Sequence, residues 1–137
     1  MIENKPDIKF LFEPESVAVI GVSQEPGKIG YKILENMIEV GYKGKIFPVN
    51  PKGGQALGLD ILTNVEDIEG SVDVAVIAIP ARFVYDAVVS CAKKNVKFLT
   101  IISSGFSEIG NLEEEQRVLK YAHKHNMRVL GPNIFGH

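Results

Sequence analysis

Val17-Ala18-Val19-Ile20-Gly21-Val22-Ser23-Gln24-Glu25-Pro26-Gly27-Lys28-Ile29-Gly30 passes from a β-branched apolar run through a glycine-bearing turn into a stretch of helical period. Apolar residues on successive positions suit a strand covered on both faces. Beyond the turn, Ile33, Leu34, Met37 and Ile38 share one helical face, and Gly41 follows where a C-cap is expected. A strand that leads straight into a helix is the first half of a βαβ unit.

The rest of the chain repeats that unit. Ile46-Phe47-Pro48-Val49, Val74-Ala75-Val76-Ile77-Ala78-Ile79, Phe98-Leu99-Thr100-Ile101-Ile102 and the shorter Arg128-Val129-Leu130 are further strand candidates, Pro48 placing the second near an edge. Val84, Val88, Cys91 and Ala92 form a second apolar stripe. A third helix is predicted from Asn111, with Glu113, Glu114 and Glu115 in its first turn and Lys120, His123 and Lys124 toward its end, complementing the helix dipole. Between Gly53 and Gly70 the pattern is weaker, with a possible short strand at Ile61-Leu62 and one helical turn at Val65 to Ile68. This alternation predicts an α/β fold: a single domain over residues 1–137 with a Rossmann-like, doubly wound parallel sheet of about five strands and helices on both faces. The expected strand order is 3-2-1-4-5 or close to it.

Composition narrows the function. In 137 residues, 45% of them apolar, 15 Lys plus Arg face 17 Asp plus Glu, a net charge of −2. That balance argues against nucleic acid as the main partner, since phosphate-tracking domains carry a concentrated basic excess. One cysteine cannot close an internal disulfide, and the N-terminal residues lack the apolar core of a secretory signal. No apolar run approaches the ~20 residues of a bilayer span. The expected location is the cytoplasm, away from membranes.

In doubly wound sheets, ligands bind beyond the carboxyl ends of the strands, which directs attention to five loops. In the first, glycines let the backbone approach a ligand and the helix start suits a phosphate. Ser23 occupies the position where the G-x-G-x-x-G dinucleotide fingerprint needs its second glycine. In the second, Asn50-Pro51-Lys52-Gly53-Gly54, an amide and a lysine replace the acidic residue that would accept ribose hydroxyls. A lysine there suits a phosphorylated ribose, as in NADP or coenzyme A; the plainer alternative is an exposed turn lysine. Pro80-Ala81-Arg82-Phe83, Ser103-Ser104-Gly105-Phe106-Ser107-Glu108 and Gly131-Pro132-Asn133-Ile134-Phe135-Gly136 complete the set. Small residues at strand ends permit close ligand contact. His123 and His125, two apart on a helix, point to different sides and make no metal pair. Cys91 falls on an apolar face and is expected in the core.

Taken in order, Leu11 to Gly21, Pro26 to Gly30, Val49 to Lys52, Ile79 to Ala81, Ser103 to Phe106 and Gly131 to Asn133 resemble the CoA-binding domain that opens the α chain of NDP-forming acyl-CoA ligases. The Pro-Gly-Lys and Ser-Ser-Gly-Phe versions are most similar to the acetate-CoA ligase (ADP-forming) type, with succinyl-CoA synthetase as the wider relative. The resemblance implies that Gly21, Ser23, Gln24, Gly27, Lys28, Ile29 and Gly30 meet coenzyme A near its diphosphate. It implies that Asn50, Pro51 and Lys52 face the phosphorylated ribose, and that Pro80 and Ala81 border the adenine. Ser103, Ser104 and Gly105 would follow the pantetheine arm, and Asn133 would lie near the reacting end. The family usually has cysteine after that asparagine, where Ile134 stands.

The resemblance further implies a phosphohistidine on a following domain and an ATP-grasp-type β chain as partners, with no catalytic residue in this segment. The chain is then expected to be the first domain of a longer protein, binding coenzyme A without catalysing on its own. Two alternatives remain: a stand-alone, non-catalytic CoA-binding protein, told apart by whether the reading frame continues past His137, and an NADP-binding oxidoreductase domain.

Overall fold

The computed structural model describes residues 14–102 and 112–129. Among them, five parallel strands form one sheet: β1 (Ser16–Ile20), β2 (Lys45–Val49), β5 (Val74–Ile77), β6 (Phe98–Ile101) and β7 (Arg128–Val129). A two-stranded antiparallel hairpin, β3 (Gln55–Ala56) and β4 (Leu59–Asp60), leaves the chain after β2, and a 3-10 turn (Val65–Asp67) follows. The helices are α1 (Ile29–Glu39), α2 (Ala81–Lys93) and α3 (Leu112–Lys124).

Alternate residues of each strand point to opposite faces, and both faces are covered. Val17, Val19, Val74 and Phe98 pack with Leu34 of α1 on one side. Ala18, Ile20, Ala75, Ile77, Leu99 and Ile101 pack with Val84, Val88 and Cys91 of α2 and with Val118 and Ala122 of α3 on the other. The apolar positions on successive residues of β1 follow directly: all five residues are buried.

The sheet order is β2-β1-β5-β6-β7. Numbered over the five parallel strands, that is 2-1-3-4-5, and it corrects the expected 3-2-1-4-5. Between β2 and β5 the chain has only Ile61-Leu62 as an apolar extended pair, which makes a single parallel bridge, Val49 to Leu62, on the outer edge of β2. The third strand of the expected order is reduced to that bridge, and the next full strand crosses over to pair with β1. Pro48 fits because its carbonyl, and with it the N–H it lacks, faces this outer edge, where it accepts from Leu62 N at 2.9 Å.

All three helices end alike. Gly41, Asn95 and Asn126 adopt positive φ of 78°, 61° and 65°. Each is flanked by the paired bonds of a Schellman motif, as in Tyr42 N to Met37 O, Val96 N to Cys91 O and Met127 N to Ala122 O. The residues after the two asparagines, Val96 and Met127, are buried, so each cap also steers the chain into the next strand.

At the amino end of the sheet, Asp73 is 3% exposed. Its Oδ2 accepts the Glu15 N–H at 2.8 Å and its Oδ1 lies 3.1 Å from Lys97 Nζ. The Ser16 hydroxyl accepts the Asp73 N–H at 3.1 Å and donates to the Ser71 carbonyl at 2.8 Å. These bonds join the starts of β1, β5 and β6. Cys91 is fully buried, and burial pushes its thiol up to about 12, so it stays protonated near neutrality. Ellman's reagent is therefore expected to leave the native chain unlabelled at pH 8 and to label one thiol after denaturation; rapid labelling of the native state would contradict this burial.

Candidate functional site

The chain winds away from β1 in both directions, so the crevice between β1 and β5 is the topological switch point, and the site is built there. β1 ends in Gly21, whose φ of +107° suits glycine. Gly21 N and Val22 N both donate to Val49 O, at 2.8 and 3.2 Å, which folds the turn over the end of β2. Ser23 Oγ accepts the Glu25 N–H at 3.0 Å and shapes the outer part of the turn.

α1 then starts at Ile29 behind Lys28, with no side-chain cap and no acidic residue in its first turn. Its second residue, Gly30, is buried against the turn: a Cβ there would strike the Gly21 carbonyl and lie 3.0 Å from Val22 Cα. Only glycine allows this helix to press its N-terminus so close to the strand end. α2 starts in the same way. Its N-cap is Pro80, which offers no side-chain bond, and its first turn carries no acid. By contrast, the 3-10 turn is capped by Asn64, which accepts the Glu66 N–H. The α1 start, through Lys28, Ile29 and Gly30, thus presents its amides and positive dipole end to the space at the switch point, an arrangement suited to phosphate, while α2 borders that space with Pro80 and the face carrying Phe83, Asp86 and Ser90.

That space is an open cleft of about 1180 Å³. Ligand pockets commonly run to about 1,000 Å³, so an extended ligand fits it better than a small metabolite. The glycine turn supplies Gly21, Ser23, Lys28, Ile29 and Gly30 to its wall; the turn after β2 supplies Asn50, Pro51 and Lys52; Pro80 comes from the end of β5. Lys28 and Lys52 bring positive charge, Glu25 and Asp86 negative charge.

Three expected site residues do not line this cleft. Gln24 turns to the hairpin, where its Oε1 accepts the Gln55 N–H at 3.2 Å and its amide group fills the space beside Gly54. Gly27 lies on the exposed outer part of the turn. Ala81 is the first residue of α2 and is buried in the core. Ser103, Ser104, Gly105 and Asn133 lie outside the described residues.

The structure also adds a wall that, Phe83 apart, the sequence did not announce. Thr63, Asn64 and Val65 face Phe83, Asp86 and Ser90 of α2 across the cleft. Phe83 is exposed, and its ring lies 4.6 Å from the Arg82 guanidinium. It belongs to the Pro80-Ala81-Arg82-Phe83 loop already singled out in the sequence. Among the described residues, no group of three or more His, Cys, Asp or Glu is placed to hold a metal ion. Nor is any helix among them long and apolar enough to cross a membrane.

A family model described as "CoA binding domain" matches residues 15–136. The chain is 50% identical over 135 residues to the Acetate--CoA ligase [ADP-forming] I subunit alpha of Pyrococcus furiosus, covering 94% of this chain and 29% of that one. It is 47% identical over 133 residues to the Acetate--CoA ligase [ADP-forming] II of Archaeoglobus fulgidus, covering 96% of this chain and 20% of that one. It therefore spans well under a third of these relatives. Among solved structures, the dinucleotide forming Acetyl-coenzyme A synthetase 1 of Ca. Korarchaeum cryptofilum, in complex with phosphate and ADP, superposes with a TM-score of 0.88 at 45% identity. That match covers 93% of this chain and 27% of that one. With a switch-point cleft of this construction and a family match over nearly its whole length, the chain belongs to the CoA binding domain family.

Proposed function

We propose that this domain binds coenzyme A across the carboxyl ends of β1, β2 and β5, as one part of an ADP-forming acyl-CoA ligase. The observation that carries the reading is the convergence of the α1 start, which has no side-chain cap and no acid in its first turn, with Lys28 and Lys52 on one cleft at the switch point. The diphosphate lies at the glycine turn and the α1 start, Lys52 meets the phosphorylated ribose, and Pro80 borders the adenine. The resemblance carries the pantetheine arm past Ser103, Ser104 and Gly105 toward Asn133.

In the whole enzyme, acyl-CoA, a nucleoside diphosphate and phosphate interconvert with acid, coenzyme A and nucleoside triphosphate. A histidine of another α-chain domain and an ATP-grasp-type β chain carry the phosphoryl steps. The contribution of this domain is positional: fixing the phosphorylated end of coenzyme A delivers its thiol to a defined place, which removes entropy from the barrier of the chemical step.

Isothermal titration tests the reading. Coenzyme A is expected to bind, and Lys52→Ala to weaken it by about tenfold, or about 1.4 kcal/mol. Coenzyme A lacking the 3′-phosphate is expected to lose a similar amount and to be indifferent to Lys52→Ala. Equal affinity for the two forms would remove Lys52 from the site. A rise in melting temperature with NADPH but none with coenzyme A would instead favour a dinucleotide enzyme.

A further inference from the structure

Asn50 stands at the end of β2, where dinucleotide-binding sheets place the carboxylate that accepts ribose hydroxyls. Its side chain is engaged elsewhere. Nδ2 donates to the Val22 carbonyl at 2.9 Å, reaching across to the glycine turn, and Oδ1 accepts the Lys52 N–H at 2.9 Å. Its backbone is engaged as well: N donates to Leu62 O at 2.8 Å, and O accepts the Gly53 N–H at 2.8 Å. One residue thus ties together the glycine turn, the lysine-bearing turn and the outer bridge of the sheet.

The amide has one workable orientation, because a carbonyl needs a donor and an N–H needs an acceptor; the flipped group would set oxygen on oxygen and nitrogen on nitrogen. Aspartate cannot make the same link. Its carboxylate would still accept from Lys52 N but would confront the Val22 carbonyl with no proton between them. Downstream, Gly53 and Gly54 both have positive φ, at 64° and 103°, and the turn is held on its far side by the Ile61 N–H on the Gly54 carbonyl at 2.8 Å. On the near side the Asn50 Oδ1 bond fixes the Lys52 backbone itself, from which the Lys52 side chain extends.

We infer that Asn50 is a positioning residue that holds the Lys52 turn at a set offset from the glycine turn, so that one ligand's ribose phosphate and diphosphate are gripped together. The same two bonds convert a strand end that would otherwise accept a ribose diol into one suited to a phosphorylated ribose. This rests on the proposed binding of coenzyme A in the cleft, but the link itself is a property of the free protein.

The test combines titration with amide exchange in Asn50→Ala, Asn50→Asp, Lys52→Ala and the double variant Asn50→Ala/Lys52→Ala. Exchange of the Lys52 N–H, followed by NMR, is expected to accelerate about tenfold in Asn50→Ala, the equivalent of one lost hydrogen bond, and to stay slow in Asn50→Asp. Asn50→Ala is expected to cut the preference for coenzyme A over its 3′-dephospho form by about threefold and to add little to Lys52→Ala. A merely structural loss would weaken both ligands equally and leave their ratio unmoved. Unchanged Lys52 exchange in Asn50→Ala, or equal weakening of the two ligands in a wild type that discriminates them, would overturn the inference. If the wild type binds both forms equally, the Lys52 reading fails on its own and exchange alone decides the link; should Asn50→Ala not fold, Asn50→Asp decides, since fast Lys52 exchange there would refute the acceptor role.

Discussion

Gly21→Ala is expected to cost about 4 kcal/mol of stability and to abolish coenzyme A binding, at the upper end of what single substitutions do. A φ of +107° already strains any residue with a side chain. The added methyl would also overlap the Ala78 carbonyl oxygen, lying 2.9 Å from its carbon and 2.8 Å from Ile79 Cγ2. Ala78 cannot easily retreat, because its N–H is bonded to Ile20 O at 2.8 Å and it continues β5. The strain would be relieved only by opening the seam between β1 and β5, which is the floor of the cleft. Urea denaturation and titration of the same variant measure both effects. Gly27→Ala is the control, since a Cβ there meets nothing within 4 Å; it should stay within about 0.5 kcal/mol of wild type. A Gly21→Ala variant as stable as that control would refute the close packing of this turn.

Asp73→Ala is expected to lower stability by about 3 kcal/mol while leaving coenzyme A affinity unchanged. The substitution removes the acceptor of the Glu15 N–H and the carboxylate beside Lys97 at a buried position. Lys97 keeps 29% of its side chain exposed and can turn toward water, so the ion pair itself contributes modestly. The larger share comes from the backbone amide left without its acceptor. Asp73→Asn, which keeps one acceptor oxygen, should lose about half as much. Chemical denaturation read beside titration checks this; a stability change under 1 kcal/mol, or a matching loss of affinity, would contradict the separation of clamp and cleft.

Much of this architecture was legible because strands covered on both faces must be apolar on successive residues. Val17 to Ile20, Val74 to Ile77 and Phe98 to Ile101 could therefore be told from the helices between them. The acids and bases at the ends of α3 were equally plain. The β3–β4 hairpin was not, because Gln55-Ala56-Leu57-Gly58-Leu59-Asp60 lacks β-branched residues and turns through Leu57 at a φ of +53°. The strand order was missed because nothing local says on which side of β1 the chain returns after a single bridge at Leu62. In the cleft, Gly21, Gly30 and Lys52 could be picked from loop position alone. Gln24 could not be placed, since its partner lies 31 residues away on the hairpin. Likewise Asp86 and Ser90 belong to a helix, where sequence offers no reason to look for a ligand.

The clamp at Asp73 and the loops around Gly21 and Lys52 lie at opposite rims of one sheet. The glycines of the cleft rim serve the packing of the fold, but its ligand-facing side chains lie apart from the clamp. A lineage can retailor Ser23, Lys28 or Lys52 for a different carrier without eroding the reserve that keeps the chain folded. A laboratory library confined to those three positions should likewise yield mostly folded clones that differ in appetite rather than in durability.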